Sequence, residues 1–163
     1  MTDAALVQRN WLNQPRFLDR LSEYMAPEGV VAVFSDRSLW TADNPWQQAA
    51  REVVQDFLGE QRRAGEGVFS APGPPYADVL RASAFSHVTS TVVAVRRQWK
   101  ISQVLGYLYS TSFAAPHLFG DRRDAFELAV TNALSPFVDG GVLMEDNAFT
   151  VLTARRPSAH GGR

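Results

Sequence analysis

An uninterrupted apolar run, residues 30–34, lies between a turn and a polar segment. Pro27 and Gly29 precede this run, and Ser35 and Asp36 follow it. A continuous stretch of β-branched and aromatic residues is typical of a strand buried on both faces, as in a parallel sheet covered by helices. In open α/β sheets the ligand crevice lies at the carboxyl ends of the strands. The pattern therefore predicts a central strand with Ser35 and Asp36 beside the crevice.

Other segments carry apolar residues at helical spacing or in short β-branched runs. The helical spacing predicts helices over residues 17–25, 45–58, 76–83, 102–110 and 121–137. The β-branched and alternating runs predict further strands over residues 4–7, 87–95 and 147–154. Because helices alternate with strands along the chain, the order predicts an α/β protein with a layered sheet.

Composition narrows the class of protein without identifying it. The length of 163 residues fits one domain, which we place at residues 1–156, followed by a disordered tail at residues 157–163. A net charge of -1 gives no reason to expect nucleic acid or an anionic membrane as a partner. There is no cysteine, and the three histidines lack the spacing of metal ligands. We therefore expect a soluble, cytoplasmic protein without a metal site.

Short motifs at the joints between these elements occur in a recognisable order. They are Asp3-Ala4-Ala5-Leu6-Val7, Asn10-Trp11, Ala26-Pro27-Glu28-Gly29 and Leu80-Arg81-Ala82-Ser83-Ala84-Phe85. In this order they resemble the C-terminal half of a class I S-adenosylmethionine-dependent methyltransferase of the type 11-like, small-molecule group. The resemblance covers residues 3–156. It implies a partial Rossmann-like methyltransferase fold, whose mixed sheet of about four strands is equivalent to strands 4-5-7-6 of the complete fold and is flanked by helices.

The cofactor side of this family is the part that the sequence lacks. The family's glycine-rich loop, roughly G-x-G-x-G after its first strand, has no counterpart here, and Asn10 replaces the usual histidine. The resemblance thus implies S-adenosylmethionine as the cofactor of the parent family, but a chain that does not bind it alone. It implies cofactor contacts at Asn10 and Trp11. The candidate substrate-binding residues are Ser35, Asp36, Trp40, Tyr107 and His117.

Each candidate also has a structural explanation. Asn10 and Trp11 fit a turn that starts a helix and carries a packing tryptophan. Asp36 fits the first position of a polar turn, and His117 fits a surface or packing position. Aromatic residues at helical spacing, such as Tyr107, are more often core residues than ligand contacts. No residue is assigned a catalytic role from the sequence.

Three functions fit these observations. The first is a methyltransferase-like protein for a small-molecule acceptor, truncated and inactive alone. The second is a non-enzymatic remnant that binds a small apolar ligand or a partner protein, and the third is a cofactor-free cyclase or isomerase. In the complete family sheet the strand at residues 4–7 pairs with the first strand, so here it would be an edge with unpaired backbone groups. We therefore expect a homodimer or association with a separate N-terminal half.

Overall fold

The computed structural model describes residues 4–6, 13–64, 67–69 and 73–157. Its strands are β1 (Ala4–Leu6), β2 (Val30–Ser35), β3 (Arg63–Ala64), β4 (Gly67–Val68), β5 (His87–Trp99) and β6 (Leu143–Arg155). Its helices are α1 (Gln14–Tyr24), α2 (Pro45–Leu58), α3 (Tyr76–Arg81), α4 (Ile101–Tyr109) and α5 (Arg123–Leu134). The predicted α/β class is confirmed. The predicted disordered tail, apart from Pro157, lies outside the described residues.

Four strands form one mixed sheet in the order β1-β2-β6-β5. β1 runs parallel to β2, whereas β6 runs antiparallel to β2 with Val31 opposite Ala154 and Ser35 opposite Thr150. Among the described strands, β1 and β5 are therefore the two edges. β3 and β4 form a separate antiparallel hairpin. The sequence pattern did not predict this hairpin, because strands of two residues are too short to show a period.

β5 and β6 are both longer than the sequence pattern predicts. The predicted residues 87–95 and 147–154 become His87–Trp99 and Leu143–Arg155. Polar side chains interrupt the apolar alternation in the added parts, although the strands continue. There, Arg96 donates hydrogen bonds of 2.7 and 3.1 Å to the two carboxylate oxygens of Asp146.

The described sheet buries only one face of β2. Val31 and Val33 are buried, but Phe34, next along the strand, is 56% exposed. The prediction that residues 30–34 are buried on both faces is therefore wrong for the described part of the chain. The continuous apolar run predicted a strand correctly. It could not show that no described residue covers the Phe34 side chain.

The chain divides into two compact units. We call Met1–Asp36, Ala71–Val93 and Phe149–Arg163 the sheet unit, and Arg37–Ser70 and Ala94–Ala148 the helical unit. The core of the sheet unit consists of Leu18, Met25, Val31, Val33, Val79, Leu80, Phe85 and Ala154. The single domain over residues 1–156 stays a prediction.

A half-buried cation closes the carboxyl end of α1 in the sheet unit. The Arg156 guanidinium donates hydrogen bonds to the backbone oxygens of Ser22 at 2.6 Å, Ala26 at 2.7 Å and Met25 at 3.1 Å. It also lies 5.2 Å from the centre of the Phe85 ring. The last carbonyls of a helix have no partner within the helix and carry partial negative charge, so a cation stabilises them.

The helical unit packs α2, α4 and α5 around a core rich in aromatic residues. The buried core residues are Leu39, Trp46, Ala50, Val53, Val54, Val104, Leu108, Phe113, Ala114, Phe119, Phe126, Val130, Leu134 and Leu143. α2 begins at Pro45, as predicted from Asn44 and Pro45. α4 begins at Ile101, one residue before the predicted start, with Lys100 at its cap. None of the described helices combines the length and apolar character needed to cross a bilayer.

Candidate functional site

The structure places the predicted site residues in separate parts of the molecule. Asn10 and Trp11, the predicted cofactor contacts, lie outside the described residues. Ser35, the last residue of β2, and Asp36 are exposed and belong to the sheet unit. The other three candidates, Trp40, Tyr107 and His117, belong to the helical unit.

Trp40 takes part in a cluster of three aromatic rings around one cation. The Arg62 guanidinium carbon lies 4.2 Å from the centre of the Phe69 ring, 5.5 Å from Phe113 and 5.7 Å from Trp40. The Trp40 and Phe113 rings meet edge to face, with centroids 5.5 Å apart. We call Trp40, Arg62, Phe69 and Phe113 the Arg62 cluster. Cations over aromatic faces are attracted by the ring quadrupole, more strongly where water is excluded.

Local backbone structure holds Arg62 and Phe69 together. α2 ends at Gly59, which has a φ of 91°, a conformation that glycine adopts at little cost. After this reversal, the Arg62 carbonyl accepts a hydrogen bond of 2.8 Å from the Phe69 N–H, next to the β3–β4 hairpin. The two side chains are thereby held at neighbouring positions on paired backbone.

A compact turn presents Trp40. The Thr41 N–H donates to the Ser38 carbonyl at 2.9 Å, and the Ser38 N–H donates to the Thr41 hydroxyl oxygen at 3.0 Å. The Trp40 carbonyl accepts a hydrogen bond of 3.1 Å from the Arg51 guanidinium on α2. These hydrogen bonds hold the backbone on both sides of Trp40.

The Arg62 guanidinium lies in an electrostatic environment that is unusual for an arginine side chain. Burial lowers the pKa of Arg62 from its ordinary value, and the Tyr107 phenol opposes this shift. Among the described residues, no carboxylate forms an ion pair with Arg62. In the same cluster, the buried Trp40 Nε1 has no hydrogen-bond partner among the described residues. The cluster thus holds a partly desolvated cation and one buried donor, the Trp40 Nε1, that no described group satisfies.

Tyr107 connects the neighbourhood of Arg62 to a second aromatic pair. It is exposed on α4 and lies edge to face with Trp99, with ring centroids 6.0 Å apart. Trp99 in turn lies 6.5 Å from the Trp46 ring. Tyr107 and Trp40 are therefore the two predicted site residues that the structure relates to the same cation, Arg62.

A buried carboxylate in the helical unit was missed by sequence reasoning. Glu145 is 3% exposed and accepts hydrogen bonds from the Trp99 indole at 2.7 Å, the Asn147 amide at 2.9 Å and the Gln47 amide at 3.3 Å. The Arg97 guanidinium lies 3.7 Å from the same carboxylate. Its position could have been found, because Leu143, Glu145 and Asn147 alternate on one face of β6. A buried charge with this many donors is typical of a structural network.

His117 and possible metal ligands give no sign of a reactive centre. His117 is exposed in the 3₁₀ turn Pro116–Leu118, and its side chain forms no hydrogen bond or ion pair with another described residue. Within the described ranges, no group of three histidine, aspartate or glutamate side chains could hold a metal ion.

The sheet unit carries a polar cavity of about 310 Å³. It is lined by His87, Thr89, Thr153, Arg155 and Arg156. The first four are neighbours on β5 and β6, and Arg156 is the guanidinium that caps α1. None of the predicted site residues lines this cavity.

Comparisons with known proteins bear on the fold. No family model and no curated protein matches the chain. A solved structure titled as a putative type II methyltransferase from Anaeromyxobacter dehalogenans does match, with a TM-score of 0.50 and 14% sequence identity. The alignment covers 94% of this chain. The fold is methyltransferase-like. The chain spans 63% of the length of that structure, and identity this low relates the two folds alone.

Proposed function

We propose that this methyltransferase-like chain forms the substrate-side part of an S-adenosylmethionine-dependent methyltransferase for a small-molecule acceptor. The observation that carries the proposal is the fold likeness over 94% of the chain. The sheet order supports the proposal. We equate β1, β2, β5 and β6 with strands 4, 5, 6 and 7 of the complete fold. The observed strand order β1-β2-β6-β5 then corresponds to the order 4-5-7-6. The first parallel pair and the antiparallel β6 agree with that equivalence.

The proposed chemistry needs few specialised side chains. Methyl transfer is an in-line displacement that depends mainly on proximity and orientation of the acceptor. A general base is needed only where the acceptor must lose a proton. A site made of aromatic walls and a few polar groups, such as the Arg62 cluster, suits this task because it positions an acceptor. Ser35, Asp36 and His117 remain further candidates for acceptor contacts.

Cofactor binding is proposed to require a further polypeptide segment. The described glycines with positive φ are Gly59, Gly120, Gly140 and Gly141, and they lie at helix ends and turns. None follows a strand of the sheet in the way that a phosphate- or cofactor-binding loop does. We therefore expect S-adenosylmethionine contacts to come mainly from elements outside this sequence, together with Asn10 and Trp11.

Cofactor crosslinking tests the proposal. The tagged chain is purified from cells of its own organism under mild conditions and exposed to tritiated S-adenosylmethionine under ultraviolet light. The same chain, purified alone from a recombinant host, serves as the control. We expect crosslinking in the native preparation and none in the isolated chain. Absence of crosslinking from both preparations would contradict the methyltransferase proposal.

Calorimetry with S-adenosylhomocysteine separates the two parts of the proposal. Micromolar binding to the isolated chain would show that no further segment is needed, while the methyltransferase assignment would stand. No heat with the isolated chain is the result we expect.

A ligand-binding module without a cofactor is the second candidate. It is favoured by a cavity of about 320 Å³ in the sheet unit, lined by Pro15, Asp19, Pro74, Asp78, Val79, Ala82 and Ser83. An apolar probe that binds there, with binding lost in Ala82→Trp and no crosslink to the cofactor in any preparation, would favour this alternative.

A further inference from the structure

The Arg62 cluster combines a cation without a described ionic partner and a buried indole N–H without a described acceptor. The Arg62 guanidinium lies over the Trp40 ring at 5.7 Å, and no described carboxylate pairs with it. The Trp40 Nε1 is buried and lacks a hydrogen-bond partner among the described residues. An unsatisfied buried donor costs about 1–3 kcal/mol, so the Trp40 Nε1 beside an arginine calls for an explanation.

We propose that the Arg62 cluster binds a small carboxylate with an apolar or aromatic body, and that this is the chemical class of the methyl acceptor. The carboxylate would accept hydrogen bonds from the Arg62 guanidinium and the Trp40 indole N–H. Its apolar body would lie beside the partly buried Phe69 ring. Binding of a carboxylate to the cluster does not depend on the proposed function. The claim that this ligand is the methyl acceptor rests on the proposed methyltransferase function.

Arginine is well suited to this ligand. Its planar guanidinium presents parallel donors that match the two oxygens of a carboxylate, and it stacks on aromatic faces at the same time. The three rings around Arg62 fix the plane of the guanidinium, which reduces the entropy lost when a ligand binds. Burial already lowers the pKa of Arg62, which means that its charge is desolvated before any ligand arrives.

A cationic ligand fits the cluster less well. Aromatic rings attract cations, but here Arg62 already occupies the faces of Trp40, Phe69 and Phe113. A second cation would be repelled by Arg62 and would leave the Trp40 Nε1 without an acceptor. Charge and hydrogen bonding therefore both favour an anion.

Nuclear magnetic resonance with matched probes tests the inference. The chain has four tryptophans, so its indole N–H signals are few, and Trp40→Phe identifies the Trp40 signal by its loss. The full chain is titrated with phenylacetate, with its neutral isostere phenylacetamide and with the cation phenethylamine. We expect phenylacetate to shift the Trp40 signal saturably and to bind at least about 10-fold more tightly than either other probe, as hydrogen bonds to charged groups require.

Variants of Arg62 link the preference to its charge. Arg62→Met keeps an apolar stem against the rings, and we expect it to remove the preference for phenylacetate. Arg62→Lys keeps a cation without the planar fork and should retain a reduced preference. Arg122→Met is the matched control, because it removes one positive charge and a ring contact, to Phe57, elsewhere in the helical unit. Thermal unfolding of each variant checks that it is folded.

The inference is overturned by equal binding of phenylacetate and phenylacetamide, by no binding of phenylacetate at millimolar concentration, or by a folded Arg62→Met that keeps the preference. None of these results would affect the cofactor crosslinking test. Conversely, a carboxylate preference with no cofactor crosslinking would uphold the binding site and reject the acceptor role.

Discussion

At the scale of single residues, neighbouring identical side chains have very different surroundings. Arg155 is exposed and lines the polar cavity of the sheet unit, whereas Arg156 donates to the carbonyls that end α1. Both arginines directly follow the predicted strand 147–154, and the local sequence does not distinguish them. The difference arises because β6 ends at Arg155, and the next side chain, that of Arg156, reaches the carbonyl groups at the end of α1.

Replacing Arg156 by methionine should lower the free energy of unfolding by about 1.5–3 kcal/mol, because carbonyl groups at the end of α1 lose a charged donor. Urea unfolding followed by circular dichroism measures this change. Arg155→Met is the control and should stay within about 0.5 kcal/mol of the wild type. Equal losses in the two variants would show that Arg156 does not cap α1.

A second contrast concerns the adjacent carboxylates Glu145 and Asp146. The first is buried among Gln47, Trp99 and Asn147, and the second forms a surface pair with Arg96. We expect Glu145→Ala to cost about 3–5 kcal/mol of stability, since the donors and the nearby cation lose their buried partner. Asp146→Ala should cost clearly less, because solvent screens an exposed pair. The same urea series measures both, and a larger effect for Asp146→Ala would refute the structural role of Glu145.

At the scale of elements, one polar contact joins α4 to α5. The Tyr109 hydroxyl donates to a Glu127 carboxylate oxygen at 2.9 Å, and the Arg123 guanidinium donates to the same oxygen at 3.0 Å. Burial and the bond to Glu127 raise the pKa of Tyr109. The bonds from Tyr109 and Arg123 lower the pKa of Glu127. The contact therefore stabilises the folded state while Glu127 is charged and Tyr109 is neutral.

This contact predicts two separate limbs in the dependence of stability on pH. Because the folded pKa of Glu127 is lowered, its contribution is present above the unfolded value and is lost as pH falls below about 4.3. Because the folded pKa of Tyr109 is raised, its contribution is present below the unfolded value and is lost as pH rises above about 10. Unfolding midpoints measured across this range should show a shallower acid limb in Glu127→Gln and a shallower alkaline limb in Tyr109→Phe. Unchanged limbs would contradict the contact.

At the scale of the whole molecule, the described sheet has two edges, β1 and β5. Edge strands expose unpaired backbone groups that favour association with another strand. Under the proposed function, β1 is the edge at which a complete methyltransferase fold would continue, so we expect the chain to associate there, with a second copy or with a complementary half. β5 carries the exposed side chains Val92 and Val93 and is the competing edge.

Light scattering coupled to size exclusion tests this expectation at tens of micromolar chain. We expect a species larger than the monomer, and we expect Val92→Lys to leave it intact, because a lysine on β5 blocks only that edge. Loss of the larger species in Val92→Lys would move the interface to β5. A wild-type chain that stays monomeric would contradict association altogether.

The sequence by itself determined the elements and their class. A continuous apolar run located β2, and helical apolar periodicity located α1 and α2, since these segments are bounded by proline, asparagine or glycine. It also marked Trp40 as an aromatic residue in a polar loop. These properties depend on residues close together in the chain, whose preferences can be judged from local spacing.

Tertiary structure alone decided which side chains meet. The Arg62 cluster joins residues 40, 62, 69 and 113, and the Glu145 network joins residues 47, 97, 99, 145 and 147. No local period relates such positions, because their proximity depends on how the hairpin, helices and long strands pack. For the same reason, the exposure of Phe34 and the capping by Arg156 became visible only in the folded chain.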